Sequence, residues 1–283
     1  MSILQAFGLL ALFIVICILF SPIVWLLKDQ ISGEKLQVLY YVLTGAPGVV
    51  LFVHVKKNIY KTREISQKLI SFKPVSVKIF FCTIISGIGI LFGLIFPISD
   101  LIPIPDFMNN HDINVGWLSF LLMVVIAPVV EEILYRSVIL DCLLFHYSPV
   151  VSIIISSVIF GLAHLNPWQF IAAFILGLLS GYLYYKYKNL TINVVLHASV
   201  NLVGYLIMLF FSEYSRYTDI YEHYSTTSIV ILISLLLFFA GIFTIIKDGN
   251  EAKNPQSAVN LYAVDITYRT VTRFKHSEIQ TQI

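Results

Sequence analysis

Glu131-Glu132-Ile133-Leu134-Tyr135-Arg136 lies inside an apolar run, residues 117–145, that is long enough to cross a bilayer. The stretch puts three charges where hydrocarbon is expected. A charged side chain at the centre of a membrane helix costs about 2.5–3.5 kcal/mol on insertion scales. Leucine would insert here without that cost, so the cluster reads as a functional site rather than as scaffolding.

The surrounding chain has the composition of a membrane protein. Its 283 residues are 58% hydrophobic and 12% charged, with a mean hydropathy of +0.86, whereas soluble domains average about 25% charged residues. These values predict an all-α, polytopic transmembrane helix bundle, because a helix satisfies its own backbone in lipid. The net charge of +2 is small and the bases are scattered through the links between apolar runs, which excludes nucleic acid as a partner. Cys17, Cys82 and Cys142 show no Cys-x-x-Cys spacing and read as packing residues.

Spans of 17–25 apolar residues match a hydrocarbon core about 30 Å thick. Eight are expected, at residues 3–27, 38–55, 77–97, 117–145, 149–164, 168–187, 190–211 and 227–246. The first has no Lys or Arg before it and no small-residue cleavage pattern after it, so it is expected to be a retained span rather than a secretory signal. Domain organisation follows from these runs. Residues 1–115 are N-terminal membrane helices with a basic link, 116–211 the polar-bearing core, 212–246 a final helix, and 247–283 a polar tail. Tyr262, Val264, Ile266 and Tyr268 alternate as a short strand would.

Lys56, Lys57, Lys61, Arg63, Lys68 and Lys73 crowd the second link, whereas residues 98–116 carry Asp100, Asp106 and Asp112 and no Lys or Arg. The positive-inside rule puts the second link in the cytoplasm. Eight spans then put Lys186, Lys188 and the tail on the same side, with both termini cytoplasmic; the plasma membrane of a prokaryote is the expected location. Lys28 and Lys35 vote weakly the other way. Ala173, Gly177 and Gly181 recur every four residues and predict a close helix contact, with Gly89 and Gly93 a weaker version.

Further polar groups fall in the same half of the chain. His164 follows Phe160, and Asn201 follows His197, each at i+4 and hence on one helix face. Glu132 and Arg136 also share a face and are expected to neutralise each other, while Glu131, rotated about 100° away, is left to point at His164 and His197. A carboxylate so placed can take a proton from water. Glu131, His164 and His197 also make a plausible zinc set with an open position for water, and the Asn201 amide can serve a developing oxyanion.

Glu-Glu-x-x-x-Arg, Phe-x-x-x-His and His-x-x-x-Asn, in this order and in successive spans, resemble the motifs of the CPBP family of intramembrane proteases. That family comprises the CAAX prenyl protease 2 and bacteriocin-processing proteins and is also called Abi. The resemblance covers residues 117–211. It implies an endopeptidase that works near or within the bilayer on a membrane-associated protein or peptide, with Glu131 activating water, His164 as its partner, and His197 with Asn201 at the oxyanion. Glu132, Arg136 and Phe160 would support them. It leaves open one divalent metal, zinc foremost, or a metal-free glutamate mechanism. Two other readings are compatible with the residues, a non-catalytic bacteriocin-immunity or scaffold protein and a proton-coupled transporter.

Straight helices would leave His164 about 22 Å deep and His197 about 10 Å deep from the inner surface at 1.5 Å per residue. Asn166-Pro167 therefore predicts an early end to the fifth span, with its turn buried against other helices beside a wet cavity.

Overall fold

The computed structural model describes residues 1–62, 70–102, 116–210 and 224–251. These form helices α1 (Ile3–Leu27), α2 (Gly33–Thr62), α3 (Val77–Ser99), α4 (Trp117–Leu143), α5 (Pro149–Leu162), α6 (Pro167–Tyr187), α7 (Leu190–Phe210) and α8 (Tyr224–Glu251). All but α5 are long and apolar enough to cross a membrane, so the protein is an integral, multi-pass membrane protein. Arg63 and Lys68 of the second link, Asp106 and Asp112 of the third, and the tail with its alternating Tyr262 to Tyr268 lie outside the described residues.

Local chemistry places the helix ends. Ser148 and Asn166 cap α5 and α6 with side-chain oxygens that accept from Val151 N, and from Trp168 N and Gln169 N, and each is followed by a proline at the first helical position, which needs no hydrogen-bond partner there. Proline also forces its predecessor out of the helical region. Asn166 accordingly sits at φ −137°, ψ 123°, so no helix continues through it.

Two π-helical turns, Leu91–Ile95 in α3 and Leu121–Ile126 in α4, each end two residues before a proline, Pro97 and Pro128. The wider turn carries the preceding carbonyls away from a ring that would otherwise clash with them. A third π-helical stretch, Ile133–Leu140, follows the two glutamates in α4.

Close packing follows the glycines. The α3–α8 seam brings backbone close to backbone, since a Cβ on Gly89 would stand 2.6 Å from Ser234 O and 2.7 Å from Phe238 N. The expected stripe on α6 is likewise a helix contact. Cβ atoms on Gly177 and Gly181 would meet Ser157 and Ile153 of α5 at 3.0 Å.

Three expectations are corrected. Lys56 belongs not to a loop but to α2, where it is 1% exposed and pairs with Asp141 at 3.0 Å while donating to Ser137 Oγ at 3.1 Å. α2 runs on to Thr62 because this buried pairing and the Tyr60–Asp141 hydrogen bond of 2.5 Å make a polar stretch cheap to fold. The α5–α6 turn is not buried as expected, for Leu165 is 70% exposed. It needs no shelter of its backbone, because His164 N and Leu165 N reach Gly161 O and Leu162 O three residues back. Finally, α5 ends at Leu162 rather than His164. Its 14 residues rise only about 21 Å, short of the ~30 Å hydrocarbon core.

Candidate active site

α4, α5 and α7 converge on Phe160, which is 1% exposed. Its ring meets the His164 ring at 5.1 Å and the His197 ring at 5.7 Å, both edge-on, and the Tyr135 ring at 4.8 Å. The Arg136 guanidinium carbon stands 4.4 Å over its face, a cation–π contact that partly replaces the water the charge has lost. The two histidines expected at different depths thus touch one aromatic ring. Ending α5 at Leu162 is what allows it.

Arg136 and Glu132 are 1% and 0% exposed and pair as expected, Nε to Oε2 at 3.1 Å. Glu132 does more than neutralise Arg136. Its Oε1 lies 3.0 Å from His197 Nδ1, and its Oε2 accepts from Ser180 Oγ at 2.8 Å. A carboxylate accepts, so His197 presents Nδ1–H to Glu132 and turns Nε2 the other way. There it meets Glu131 Oε2 at 3.7 Å. The same reasoning fixes His164, whose Nδ1 is 2.9 Å from Phe160 O. A carbonyl only accepts, so in the neutral ring the His164 lone pair is on Nε2.

Glu131 keeps 21% of its side chain exposed, in contrast to its neighbour, and is the carboxylate of the site with access to solvent or substrate. The Tyr41 hydroxyl of α2 is buried without a hydrogen-bond partner among the described residues and lies within electrostatic reach of Glu131.

Asn201 is engaged differently from the expectation. Its Nδ2 donates to Met123 O at 2.8 Å. In the π-helical turn, Ala127 N–H has shifted to Leu122 O, and the residue next in line to serve Met123 O is Pro128, which has no N–H. Asn201 supplies the missing donor. One hydrogen of its amide remains for another acceptor.

The described residues contain no group of three His, Cys, Asp or Glu side chains that could hold a metal ion. Glu131, His164 and His197 therefore do not gather into the three-ligand zinc set expected from the sequence.

Two groups escaped the sequence reading. Asn193, 0% exposed, precedes His197 by four residues and extends the polar stripe of α7, a signal visible in the spacing. Ser180, beside Gly181 on α6, reads in sequence as one more small packing residue. A second polar cluster was also missed, in which Asp141 of α4 accepts from Tyr60, pairs with Lys56, and pairs with Lys188 at the end of α6. It lies about three helical turns beyond the glutamates.

No curated protein and no solved structure matches the chain. Residues 113–203 match the family model described as Rce1-like, type II CAAX prenyl endopeptidase; the stretch holds every motif residue of the site. Over these residues, about a third of the chain, the protein is similar to the type II CAAX prenyl endopeptidases that this model describes.

Proposed function

We propose that the protein is an intramembrane endopeptidase that hydrolyses a peptide bond of a membrane-associated protein or peptide, with Glu131 as the proton acceptor for the attacking water. The observation that carries this reading is the facing pair of Glu131 Oε2 and His197 Nε2, 3.7 Å apart, beside an imidazole whose other nitrogen Glu132 holds. That spacing is too long for a direct hydrogen bond and leaves both atoms able to contact one bound molecule.

The chemistry requires one proton to travel twice. Water oxygen attacks the carbonyl carbon as Glu131 takes a water proton, and the carbonyl electron pair moves onto oxygen. His164, with its Nε2 lone pair, orients the water. The remaining N–H of Asn201, and His197 when a second proton on Nε2 joins the Nδ1–H that Glu132 accepts, stabilise the oxyanion. Glu131 then delivers its proton to the amide nitrogen as the C–N bond breaks, releasing a carboxylic acid and an amine. Placing these groups away from bulk water strengthens each electrostatic contact.

The test is cleavage of a peptide panel, prenylated and unprenylated, by purified protein in liposomes. Glu131→Gln is expected to lower cleavage about 10²–10⁴-fold with unfolding unchanged, and wild-type rates in that variant would end the reading. Metal analysis of the same preparations, with cleavage measured before and after chelation, decides whether a metal ion takes part.

The orientation belongs to the same proposal. α2 and α4 run in the same direction, since Gln37 contacts Ser119 and Tyr60 contacts Asp141. Asp141 joins α2 to Lys188, so the links after α2 and α6 lie on one face, the cytoplasmic one by the positive-inside rule. A cysteine at Lys61 is expected to react with an impermeant maleimide only in inverted vesicles.

A further inference from the structure

Ser180 is where the buried charges behind His197 meet. Its Oγ accepts from Arg136 Nε at 3.1 Å and from Asn193 Nδ2 at 2.6 Å, and it donates to Glu132 Oε2 at 2.8 Å. Neither Arg136 Nε nor Asn193 Nδ2 can accept a proton. The single hydroxyl hydrogen of Ser180 therefore has one destination among these partners, the Glu132 carboxylate. The orientation of Asn193 is fixed as well. Its Nδ2 also donates to the Ser180 carbonyl at 2.6 Å, a contact that the amide oxygen could not make.

Ser180, Asn193 and Glu132 are each 0% exposed, and Arg136 is 1% exposed. No water exchange loosens such a chain, so each polar atom depends on its neighbour. Ser180 sits on α6, Asn193 and His197 on α7, and Glu132 and Arg136 on α4, so the chain ties three helices to one imidazole.

We infer that Ser180, held by Asn193, is a positioning residue for His197: by donating to Glu132 Oε2 it turns the carboxylate so that Oε1 receives Nδ1–H, leaving Nε2 as the imidazole atom that faces Glu131. The inference rests on the hydrolase reading for its consequence in rate, but not for its consequence in structure. Without the Ser180 hydroxyl, Glu132 Oε2 keeps only Arg136, and the carboxylate plane is less firmly set. His197 then loses its reason to carry the proton on Nδ1. Partners behind a functional histidine fix tautomer and ring orientation, and their removal costs about 10–100-fold in function.

The experiment uses full-length protein in nanodiscs with ¹⁵N-labelled histidine, the His197 signals being assigned by their loss in a His197→Ala sample. At a pH where the ring is neutral, wild type is expected to show His197 in a single form with the hydrogen on Nδ1. Ser180→Ala and Asn193→Ala are expected to show both tautomers. In the cleavage assay each is expected to lose about 10–100-fold in kcat with KM unchanged, and the double variant to be no slower than either single one, because both act through Glu132. Ser180→Thr, which keeps the hydroxyl, is expected to retain the wild-type tautomer.

A Ser180→Ala protein that unfolds like wild type and keeps His197 solely in the Nδ1–H form overturns the inference. So does a loss of kcat with no change in tautomer. If Ser180→Ala does not accumulate, Asn193→Ala decides on the same readouts. If wild type cleaves no peptide, the hydrolase reading fails while the tautomer measurement still decides this one.

Discussion

Glu131 keeps about a fifth of its side chain exposed while Glu132 keeps none, and the difference follows from the 100° between consecutive helical positions. One residue turns toward Arg136, Ser180 and His197 Nδ1, the other stands partly exposed on the Nε2 side of the same ring. Uncovering either buried partner is costly, because a lone charge at full burial has no water to turn to. Arg136→Met is therefore expected to lower stability in detergent by about 3–5 kcal/mol, measured by reversible denaturation. Adding Glu132→Gln should recover much of that loss without restoring cleavage, since His197 would still lack its carboxylate. A double variant as unstable as Arg136→Met would show that the destabilisation does not come from the uncovered carboxylate.

Helix α4 is built from alternating α and π turns because it carries Pro128 and must bring several polar positions to one side. π turns change which residues share a face and occur often at functional sites. The Asn201–Met123 bond of 2.8 Å is a consequence. Helix α3 shows the same device before Pro97 but turns its small residues to α8 rather than to a site. At that seam a Gly89 Cβ would meet backbone atoms of Ser234 and Phe238 within 2.7 Å, and backbone cannot rotate away. Gly89→Val is expected to destabilise the protein by about 1–3 kcal/mol. Gly204→Ala, with nothing within 4 Å of the new Cβ, is expected to change stability by less than about 0.5 kcal/mol. Thermal unfolding of both in one detergent compares them directly, and equal effects would mean that the two helices do not pack as closely as described.

For the whole molecule, the Asp141 cluster fastens α2, outside the family-matched segment, to α4 and to the α6–α7 link. Asp141→Leu leaves Lys56 buried without its carboxylate. The expected cost is about 3–5 kcal/mol, and replacing Lys56 by Met in the same protein should return part of it. A single-variant stability equal to wild type would show that the cluster does not bind the two parts together. Cleavage per folded molecule is expected to remain in Asp141→Leu, because the cluster lies three turns from Glu131.

The spans were legible in the sequence because bilayer thickness sets a length and hydrocarbon sets a composition, and a run such as residues 3–27 meets both without help from its neighbours. The Glu132–Arg136 pair was legible for a similar reason, as helical periodicity alone makes i and i+4 neighbours. The end of α5 was legible in Asn166-Pro167. Other features depend on which helix faces which, and no local rule supplies that. Lys56 counts as a loop base until Asp141 is brought against it. Ser180 is a small residue until two other helices aim donors and a carboxylate at its hydroxyl. Asn201 is a spare amide until a proline on another helix orphans Met123 O. Sequence thus determined a membrane-spanning helical protein and its motif residues, because hydrophobicity and helical repeat act along the chain. Tertiary structure decided which carboxylate holds the imidazole and which is left accessible, because hydrogen bonds and charge pairing in a low-dielectric interior are set by atoms far apart in sequence.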